Sequence, residues 1–287
     1  MSRFNKKIID IIAGARPNFV KIASLYKQIN NNKQIKKNFY FRLIHTGQHY
    51  NKMLSDAFFK ELKIPKADFL LNVGSGTHAV QTANIMIKYE KILINDPCQL
   101  CIVVGDVNST VACAIAAKKL GIKVAHIESG LRSGDIKMPE EVNRIITDSI
   151  TDYFFTTSRY ANQNLIKNGN TRRNIYFVGN TMIDTLKNNL KKLKKPIFWN
   201  DFKLKSRSYY IITLHRPSNV DDLKKLTKIL NICKKFKNEK FIFPVHPRTK
   251  LKIKSIKNLE KNLIIVEPLS YFSFNFLLKN AKGIITD

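Results

Sequence analysis

Carboxylates and cationic side chains follow the apolar runs in the first half of this sequence. Asp106 and Glu128 each come within two residues of the end of such a run, and Arg16 and Lys21 follow the first run. Carboxylates can accept and donate protons, and cationic side chains near helix N-termini bind phosphate groups. These residue types therefore predict acid–base chemistry on a phosphorylated ligand.

The second half of the chain has two further groups of this kind. His215 and Arg216 follow the apolar run 209–214, and His246 follows the run 241–245. Histidine adds a second type of proton carrier to the carboxylates. Together, the two halves predict two α/β lobes that close on a phosphorylated ligand.

Each of these residues also has a structural interpretation, which the pattern leaves open. Asp106 can cap the helix that follows it, as Asp often does, and the histidines can be half-buried groups with satisfied hydrogen bonds. Other charged residues can be solvated surface cations or acids in the first turn of a helix. These are Arg132, Arg144, Glu140 and Glu141. Glu128 is the hardest to explain by packing, because a carboxylate directly after an apolar strand contributes nothing to a core.

Two common nucleotide-binding motifs are absent from the sequence. GxxxxGK[ST] does not occur, and no GxGxxG follows the first apolar run, so a dinucleotide redox cofactor is not expected. Cys98 and Cys101 form a C-x-x-C, but no second ligand pair for zinc accompanies it. We interpret both cysteines as small buried side chains and expect neither a metal nor a cofactor.

Short apolar runs alternate with helical patterns along the chain. The predicted strands are 8–13, 39–45, 100–104, 123–127, 153–156, 175–178, 209–214, 241–245, 263–266 and 283–286. The predicted helices are 18–30, 51–62, 77–91, 108–120, 140–150, 159–168, 181–194, 221–236, 249–258 and 271–280. Runs that are apolar on both faces are typical of parallel strands between helices. The alternation predicts an α/β fold with doubly wound parallel sheets, in which ligands bind beyond the carboxyl ends of the strands.

The pattern divides the chain into two Rossmann-like domains. Residues 1–186 form the first, and the lysine-rich stretch 187–208 loses the apolar periodicity and is predicted to be a linker. The alternation restarts in 209–287, the predicted nucleotide-binding domain. Its last strand reaches Asp287 with no helix after it, so we expect this second domain to be incomplete.

The composition is typical of a globular protein. Of the 287 residues, 44% are hydrophobic and 25% are charged. No apolar run approaches the roughly 18 residues that span a bilayer, and the N-terminal apolar stretch is too short for a signal peptide, so we expect a cytoplasmic protein with no membrane partner. The net charge of +29 comes mostly from dispersed lysines. It predicts a weak, salt-sensitive affinity for polyanions but no specific nucleic-acid partner.

Seven collinear segments of the sequence resemble one enzyme family. They are GARPNFVKIASL (14–25), HTGQHY (45–50), VVGDVNST (103–110), HIESGLRSGDIKMPEEVNR (126–144), VGNTMIDTL (178–186), TLHRPSNVD (213–221) and PVHPR (244–248). Together they are far more specific than any one of them. On these motifs the chain resembles the non-hydrolysing UDP-N-acetylglucosamine 2-epimerases, which have the two-domain glycosyltransferase-B fold.

The resemblance implies roles for individual residues. The family's catalytic positions match Asp106, Glu128, Glu140 and His215, with Glu141 as a lesser candidate for the third. Arg16 and Lys21 match basic residues at the family's site, and Arg132, Arg144 and Arg216 are further candidates for substrate binding. Positions that bind a second, activating UDP-sugar in some bacterial members match Gln48, His49 and His246.

The resemblance also implies a reaction. Family members convert UDP-N-acetylglucosamine to UDP-N-acetylmannosamine for surface polysaccharide by eliminating and re-adding UDP. They need neither a metal nor a nicotinamide for this reaction. They are commonly homodimers. It further implies that a glycine-rich phosphate loop and a returning terminal helix would follow Asp287 in a complete member. Three alternatives stay open: an inactive truncated remnant, an epimerase of a related UDP-2-acetamido sugar, and a glycosyltransferase on the same fold.

Overall fold

The structure, a computed structural model, describes residues 6–47, 58–214, 216–245, 247–256 and 259–287, with side chains at all of these except 217, 218, 247 and 248. The chain divides into two compact units, Met1–Asn188 and Asn189–Asp287. Each unit contains one parallel sheet.

The first unit is built on a seven-stranded parallel sheet. Its strands are β1 (Lys7–Ala13), β2 (Phe39–His45), β3 (Phe69–Leu70), β4 (Leu100–Val104), β5 (Lys123–Ser129), β6 (Tyr153–Thr156) and β7 (Ile175–Phe177). Their order across the sheet is β3-β2-β1-β4-β5-β6-β7. The direction of winding therefore reverses between β1 and β4. In open parallel sheets, such a switch point leaves a ligand-binding crevice beyond the strand ends.

Helices connect the strands of the first unit. They are Arg16–Asn31, Lys33–Asn38, His78–Asn95, Asn108–Lys119, Pro139–Ile150, Arg159–Lys167 and Thr181–Asn189, and residues 58–62 are also helical. The helix Asn108–Lys119 packs between its neighbours His78–Asn95 and Pro139–Ile150. Small buried residues such as Ala112 and Ala116 permit this close packing. The helix begins shortly after Val104, so its N-terminus lies just beyond the carboxyl end of β4.

The central strands of this sheet are buried on both faces. Ile11 and Ile12 in β1, like Val103 and Val104 in β4, are almost completely inaccessible to solvent. Helices on both faces of a parallel sheet require this continuous apolar character. The same character explains why the apolar runs of the sequence predicted parallel strands.

One ion pair interrupts the apolar centre of this sheet. Arg42 in β2 donates from Nε and Nη2 to the two carboxylate oxygens of Asp10 in β1, at 2.6 and 2.9 Å. Neither side chain is exposed to solvent. The Tyr89 hydroxyl donates to Asp10 at 2.8 Å, and Arg42 Nη1 donates to Asp96 at 2.8 Å. These additional hydrogen bonds help offset the cost of removing the two charges from water.

The second unit contains a four-stranded parallel sheet. Its strands are β8 (Tyr209–Thr213), β9 (Lys240–Pro244), β10 (Leu263–Val266) and β11 (Gly283–Thr286), in the order β10-β9-β8-β11. Its helices are Pro217–Val220, Leu223–Asn231, Pro247–Lys254 and Tyr271–Asn280. Trp199 and Leu204 pack in one of its apolar clusters with Tyr209 and Leu277. The segment before β8 therefore contributes to the core of this unit.

The predicted α/β fold with parallel sheets is confirmed, and every predicted strand is present. Strand β5 runs two residues further than predicted, because a bulge continues its pairing to Ser129. The two-residue strand β3 and the short helix Lys33–Asn38 were not predicted, because so few residues carry little periodicity. The division into a domain, a linker and a nucleotide-binding domain stays a prediction. Within the described ranges, no helix combines the length and apolar character needed to cross a membrane.

Candidate active site

Lys21 and Glu128 form an ion pair beyond the carboxyl ends of the central strands. Lys21 belongs to the helix Arg16–Asn31 and is buried, whereas the side chain of Glu128 is 21% exposed. Glu128 lies at a β-bulge between Ile127 and Ser129 and has a φ of +72°. This left-handed conformation costs a non-glycine residue roughly 1–2 kcal/mol. Bulges and strained residues of this kind occur often at functional sites.

Asn18 joins the loop after β1 to the end of β4. Its side-chain oxygen accepts hydrogen bonds from the backbone N–H groups of Gly14 and Ala15, at 3.1 and 2.9 Å. Its Nδ2 donates to the carbonyl of Val104 at 3.0 Å. The start of the helix that carries Lys21 is therefore fixed against the strand that leads to Asp106.

Gly105 allows the amino group of Lys21 to approach the backbone next to Asp106. Gly105 has a φ of +71°, and a Cβ at this position would lie 2.8 Å from Lys21 Nζ. The left-handed conformation favours glycine, and an added Cβ would displace the Lys21 amino group. The Lys21 amino group thus lies beside Glu128 and beside the residue that precedes Asp106.

Arg144 connects Asp106 with a buried carboxylate. Its Nη2 donates to Asp106 at 2.5 Å, and its Nη1 donates to Glu141 at 3.0 Å. Glu141 also accepts the backbone N–H groups of Ser133 and Gly134, at 2.9 and 3.3 Å. Burial raises the pKa of the Glu141 carboxyl, but these hydrogen bonds outweigh it and hold the pKa below its ordinary value. Glu141 therefore anchors a loop and a guanidinium, which in turn holds Asp106.

A cleft of about 270 Å³ opens beside Asp106. Asp106 and Glu140 both line it, so these two acidic residues border one space. Glu141, the next residue along the helix, is buried instead. The geometry therefore makes Glu140 the more accessible of the two consecutive acids to a ligand in this cleft.

Uncharged polar side chains complete the wall of the cleft. Asn143 Nδ2 donates to the backbone carbonyl of Asp106 at 2.8 Å, and Asn108 Nδ2 donates to Gln81 at 2.8 Å. His78 Nδ1 lies 3.1 Å from Asn108 Nδ2. Sequence reasoning did not select these residues as site residues. The segment GSGTH that leads into His78 was the available signal, but it is too short to identify a site.

His126 and Asp148 form a second buried polar group at the same end of the sheet. His126 Nδ1 lies 2.8 Å from Asp148 Oδ1, and Nε2 lies 2.8 Å from the carbonyl oxygen of Gly105. Asp148 Oδ2 accepts from the Gly130 N–H at 3.0 Å and from Arg132 Nη1 at 2.7 Å. Burial raises the pKa of Asp148, but His126 and Arg132 outweigh it and bring the pKa below its ordinary value. Neither His126 nor Asp148 was predicted from the sequence.

Comparison with known proteins identifies the family of the chain. The sequence model of the UDP-N-acetylglucosamine 2-epimerase family matches residues 32–287. The chain belongs to this family. It is 41% identical to the UDP-N-acetylglucosamine 2-epimerase of Methanococcus maripaludis, over 97% of this chain and 77% of that protein. It is 35% identical to the UDP-2,3-diacetamido-2,3-dideoxy-D-glucuronate 2-epimerase of Pseudomonas aeruginosa, over 98% of this chain and 78% of that protein.

A solved structure of the 2-epimerase family has the same fold. The Methanocaldococcus jannaschii UDP-GlcNAc 2-epimerase in complex with UDP-GlcNAc and UDP matches with a TM-score of 0.86 and 36% sequence identity. The match covers 98% of this chain and 78% of that one. The resemblance to the epimerase family and its glycosyltransferase-B fold is thereby confirmed.

The structure places the predicted site residues at several positions in the two units. The first unit of this epimerase-family chain brings together Lys21, Glu128, Asp106, Glu140 and Arg144. Arg132 contacts Asp148, and Arg16 is exposed at the start of its helix. In the second unit, Arg216 is exposed and its backbone N–H donates to Asp287 at 3.0 Å. The remaining predicted residues lie outside the described ones: Gln48, His49, His215 and His246. The catalytic and binding roles of all these residues stay predictions.

The cysteines of this family member are buried and free. Cys98, Cys101 and Cys113 pack in the apolar cluster beside the first sheet, so the C-x-x-C is a pair of core side chains, as predicted. Burial raises the pKa of Cys98 to about 12, which makes its thiol a poor nucleophile and a poor metal ligand. In the part of the chain that the structure describes, no three His, Cys, Asp or Glu side chains converge as a possible metal site.

Proposed function

We propose that this chain interconverts UDP-N-acetylglucosamine and UDP-N-acetylmannosamine by inverting C2 of the sugar, in the cytoplasm, for surface polysaccharide synthesis. One observation carries the proposal: Lys21 contacts Glu128 beside Gly105, while Asp106 and Glu140 line the adjacent cleft. Carboxylates grouped with a buried cation at a switch point suit proton transfer next to a diphosphate. The family membership supports the same substrate class.

The chemistry of C2 explains why several acid–base groups are needed. The C2 proton is not acidic, because C1 is an acetal carbon and not a carbonyl. Elimination avoids this difficulty: the bond from C1 to the phosphate oxygen breaks, UDP leaves with the electron pair, and a carboxylate takes the C2 proton. A double bond then joins C1 and C2. A proton returns to the opposite face of C2, UDP adds back to C1, and the reaction is redox-neutral overall.

We propose that Asp106, Glu128 and Glu140 transfer the protons and that His215 also takes part in catalysis. Lys21 holds Glu128, and Arg144 holds Asp106, which fixes two carboxylates in place. Fixed charges that stabilise the departing UDP would supply much of the rate enhancement. The cations proposed for this role are Arg16, Lys21, Arg132, Arg144 and Arg216. For a second, activating UDP-sugar we propose Gln48, His49 and His246.

Proton NMR in D₂O tests the reaction directly. Incubation of UDP-N-acetylglucosamine with the purified chain is expected to yield the manno epimer with deuterium at C2, because the C2 proton exchanges with solvent. The Asp106→Asn variant, which keeps the size of the side chain, should lose this exchange. A folded wild-type chain that exchanges no C2 proton would contradict the proposal and favour an inactive remnant. Transfer of the sugar without exchange would favour a glycosyltransferase.

A related UDP-2-acetamido sugar is a second candidate substrate. The 35% identity to the Pseudomonas aeruginosa epimerase of a diacetamido-glucuronate favours it. Both substrates carry an acetamido group at C2, so the elimination chemistry is the same. Comparison of kcat/KM for the two UDP-sugars decides between them. A preference for the diacetamido-glucuronate would change the substrate and leave the mechanism intact.

We also propose that the chain forms a homodimer through the helix layer of its first unit. Two helices of this layer, His78–Asn95 and Pro139–Ile150, expose aliphatic side chains: Val80, Ile87, Ile94, Val142, Ile145 and Ile146. The first three recur every seven residues, so they lie on one helix face. Exposed apolar surface of this kind often marks a protein contact. Sedimentation equilibrium should give a dimer for the wild type and a monomer for Ile87→Glu; a monomeric wild type would contradict the proposal.

A further inference from the structure

The ring of His126 lies between two hydrogen-bond acceptors. His126 is in β5, two residues before Glu128, and is completely buried. Its Nε2 faces the carbonyl oxygen of Gly105 and its Nδ1 faces a carboxylate oxygen of Asp148, both at 2.8 Å. A carbonyl oxygen and a carboxylate accept hydrogen bonds and cannot donate them. Both ring nitrogens must therefore donate, which requires the doubly protonated, positively charged ring.

Asp148 supplies the negative charge that such a buried ring needs. Its second oxygen accepts from the Gly130 N–H and from the guanidinium of Arg132. A proton on this second oxygen would face these donors. The hydrogen bonds and charges of His126 and Arg132 hold the pKa of the Asp148 carboxyl below its ordinary value despite its burial, so the carboxyl is ionised. Paired and hydrogen-bonded charges are the form in which ions are tolerated in a protein interior.

This pair connects the two loops that carry the proposed catalytic carboxylates. Gly105, whose carbonyl accepts from the ring, directly precedes Asp106. Gly130, whose N–H donates to Asp148, comes two residues after Glu128. The ring of His126 and the carboxylate of Asp148 thus form a side-chain connection from one loop to the other, in addition to the pairing of β4 with β5.

We propose that protonated His126 is a positioning residue, which with Asp148 holds the loops of Asp106 and Glu128 at the spacing that C2 epimerisation requires. The inference rests on the proposed function, because these loops matter for catalysis only if their carboxylates move protons. Loss of the ring proton turns a lone pair toward an oxygen and breaks one of the two hydrogen bonds. A displacement of about 1 Å in a reacting group can lower a rate on the order of 10²-fold.

Several charged groups surround the buried ring of His126. Asp148 contacts the ring and stabilises its charge, and Arg132, which shares Asp148, opposes it. Other charged groups at this end of the sheet are Lys21, Glu128, Asp106, Glu141 and Arg144.

Nitrogen-15 NMR of histidine-labelled protein tests the charge of the ring without any turnover. The chain has six histidines, and the signal that His126→Gln removes is that of His126. At pH 7 we expect both ring nitrogens of His126 to carry protons. His45 is an internal reference, because burial lowers the pKa of its ring to about 4 and leaves it neutral at this pH. A His126 ring with one bare nitrogen at pH 7 would overturn the inference.

Kinetics of two variants test the positioning role. Asp148→Asn removes the negative charge that faces the His126 ring. His126→Gln replaces the two N–H donors of the ring with one amide donor group. Each is expected to lower kcat by about 10–100-fold, because the carboxylates shift. KM should change little in His126→Gln, whereas Asp148→Asn also releases Arg132, a proposed substrate-binding cation, and should raise KM. Variants that melt cooperatively and keep the wild-type kcat would refute the positioning role.

The same samples separate this inference from the proposed function. If the wild type does not exchange the C2 proton of either UDP-sugar, the proposed function fails, and the positioning role in catalysis fails with it. The hydrogen-exchange rate of the Gly130 amide still tests whether Asp148 holds the loop that follows Glu128. This exchange should be faster in Asp148→Asn than in the wild type, and an unchanged rate would disprove the connection. If the wild type and the variants are equally active, the proposed function stands and only the positioning role of His126 and Asp148 fails.

Discussion

The amino group of Lys21 contacts the carboxylate of Glu128 at a β-bulge, beside the backbone of Gly105. Three distant segments of the chain supply these groups: the helix after β1, the loop after β4 and the end of β5. The central strands β1, β4 and β5 are neighbours in the sheet, so their carboxyl ends bring the segments together. The contact is therefore a product of the sheet order and depends on the folded first unit.

Removal of the Lys21 amino group should impair the reaction far more than removal of another lysine on the same helix. Lys21→Met deprives Glu128 of its cation and leaves an unpaired carboxylate at the bulge. We expect kcat/KM for C2 exchange to fall by on the order of 10² or more. Lys27→Met is the matched control, because Lys27 is exposed and contacts Asn188 instead. Equal losses in the two variants would show that Lys21 has no special role.

Gly105→Ala tests how closely Lys21 must approach the backbone next to Asp106. The new Cβ would lie 2.8 Å from Lys21 Nζ and would displace the amino group from its position. Gly121→Ala is the control, because Gly121 has a similar φ of +75° and open space around its Cα. Both variants should lose about 1 kcal/mol of stability from the left-handed conformation. The loss of C2 exchange activity should be confined to Gly105→Ala, and activity that survives in both would contradict this account.

The sequence predicted every strand except the two-residue β3, but it did not predict the polar network of the site. Continuous apolar runs predicted the buried parallel strands, and the residues directly after them included Asp106 and Glu128. Asp148 lies in the last turn of the helix Pro139–Ile150, where no pattern distinguishes it from a surface acid. Its partner His126 is inside a strand, and the contact depends on how this helix packs on the sheet. Such partners follow from tertiary packing, which periodicity does not encode.

The two consecutive acids Glu140 and Glu141 illustrate the same difference. Sequence position makes both of them ordinary first-turn residues after Pro139. The fold buries Glu141 against backbone N–H groups and leaves Glu140 on the cleft. The direction of a side chain around a helix is fixed by what the helix packs against, so the distinction required the structure.

The stability of the chain should decrease in acid because of Glu141 and Asp148. Both carboxyls have a folded-state pKa below the ordinary values of 4.5 and 3.8. Their stabilising contribution is therefore complete above those ordinary values and is lost as the pH falls toward the folded-state pKa. Thermal melts between pH 7 and pH 3 should show a weaker acid dependence in Glu141→Gln and in Asp148→Asn than in the wild type. Slopes in both variants that equal the wild-type slope would contradict this role of the two carboxyls.

The buried pair of Asp10 and Arg42 should be the most sensitive polar contact of the first unit. Arg42→Met leaves Asp10 charged in the core without its cation, and the expected loss is about 3–5 kcal/mol of unfolding free energy. Tyr89→Phe removes one hydrogen bond to Asp10 and should cost about 1–2 kcal/mol. The double variant Asp10→Leu, Arg42→Met removes both charges and should recover most of the loss, because no unpaired ion remains. Urea denaturation followed by far-ultraviolet circular dichroism measures all three, and a double variant no more stable than Arg42→Met would contradict the explanation by an unpaired charge.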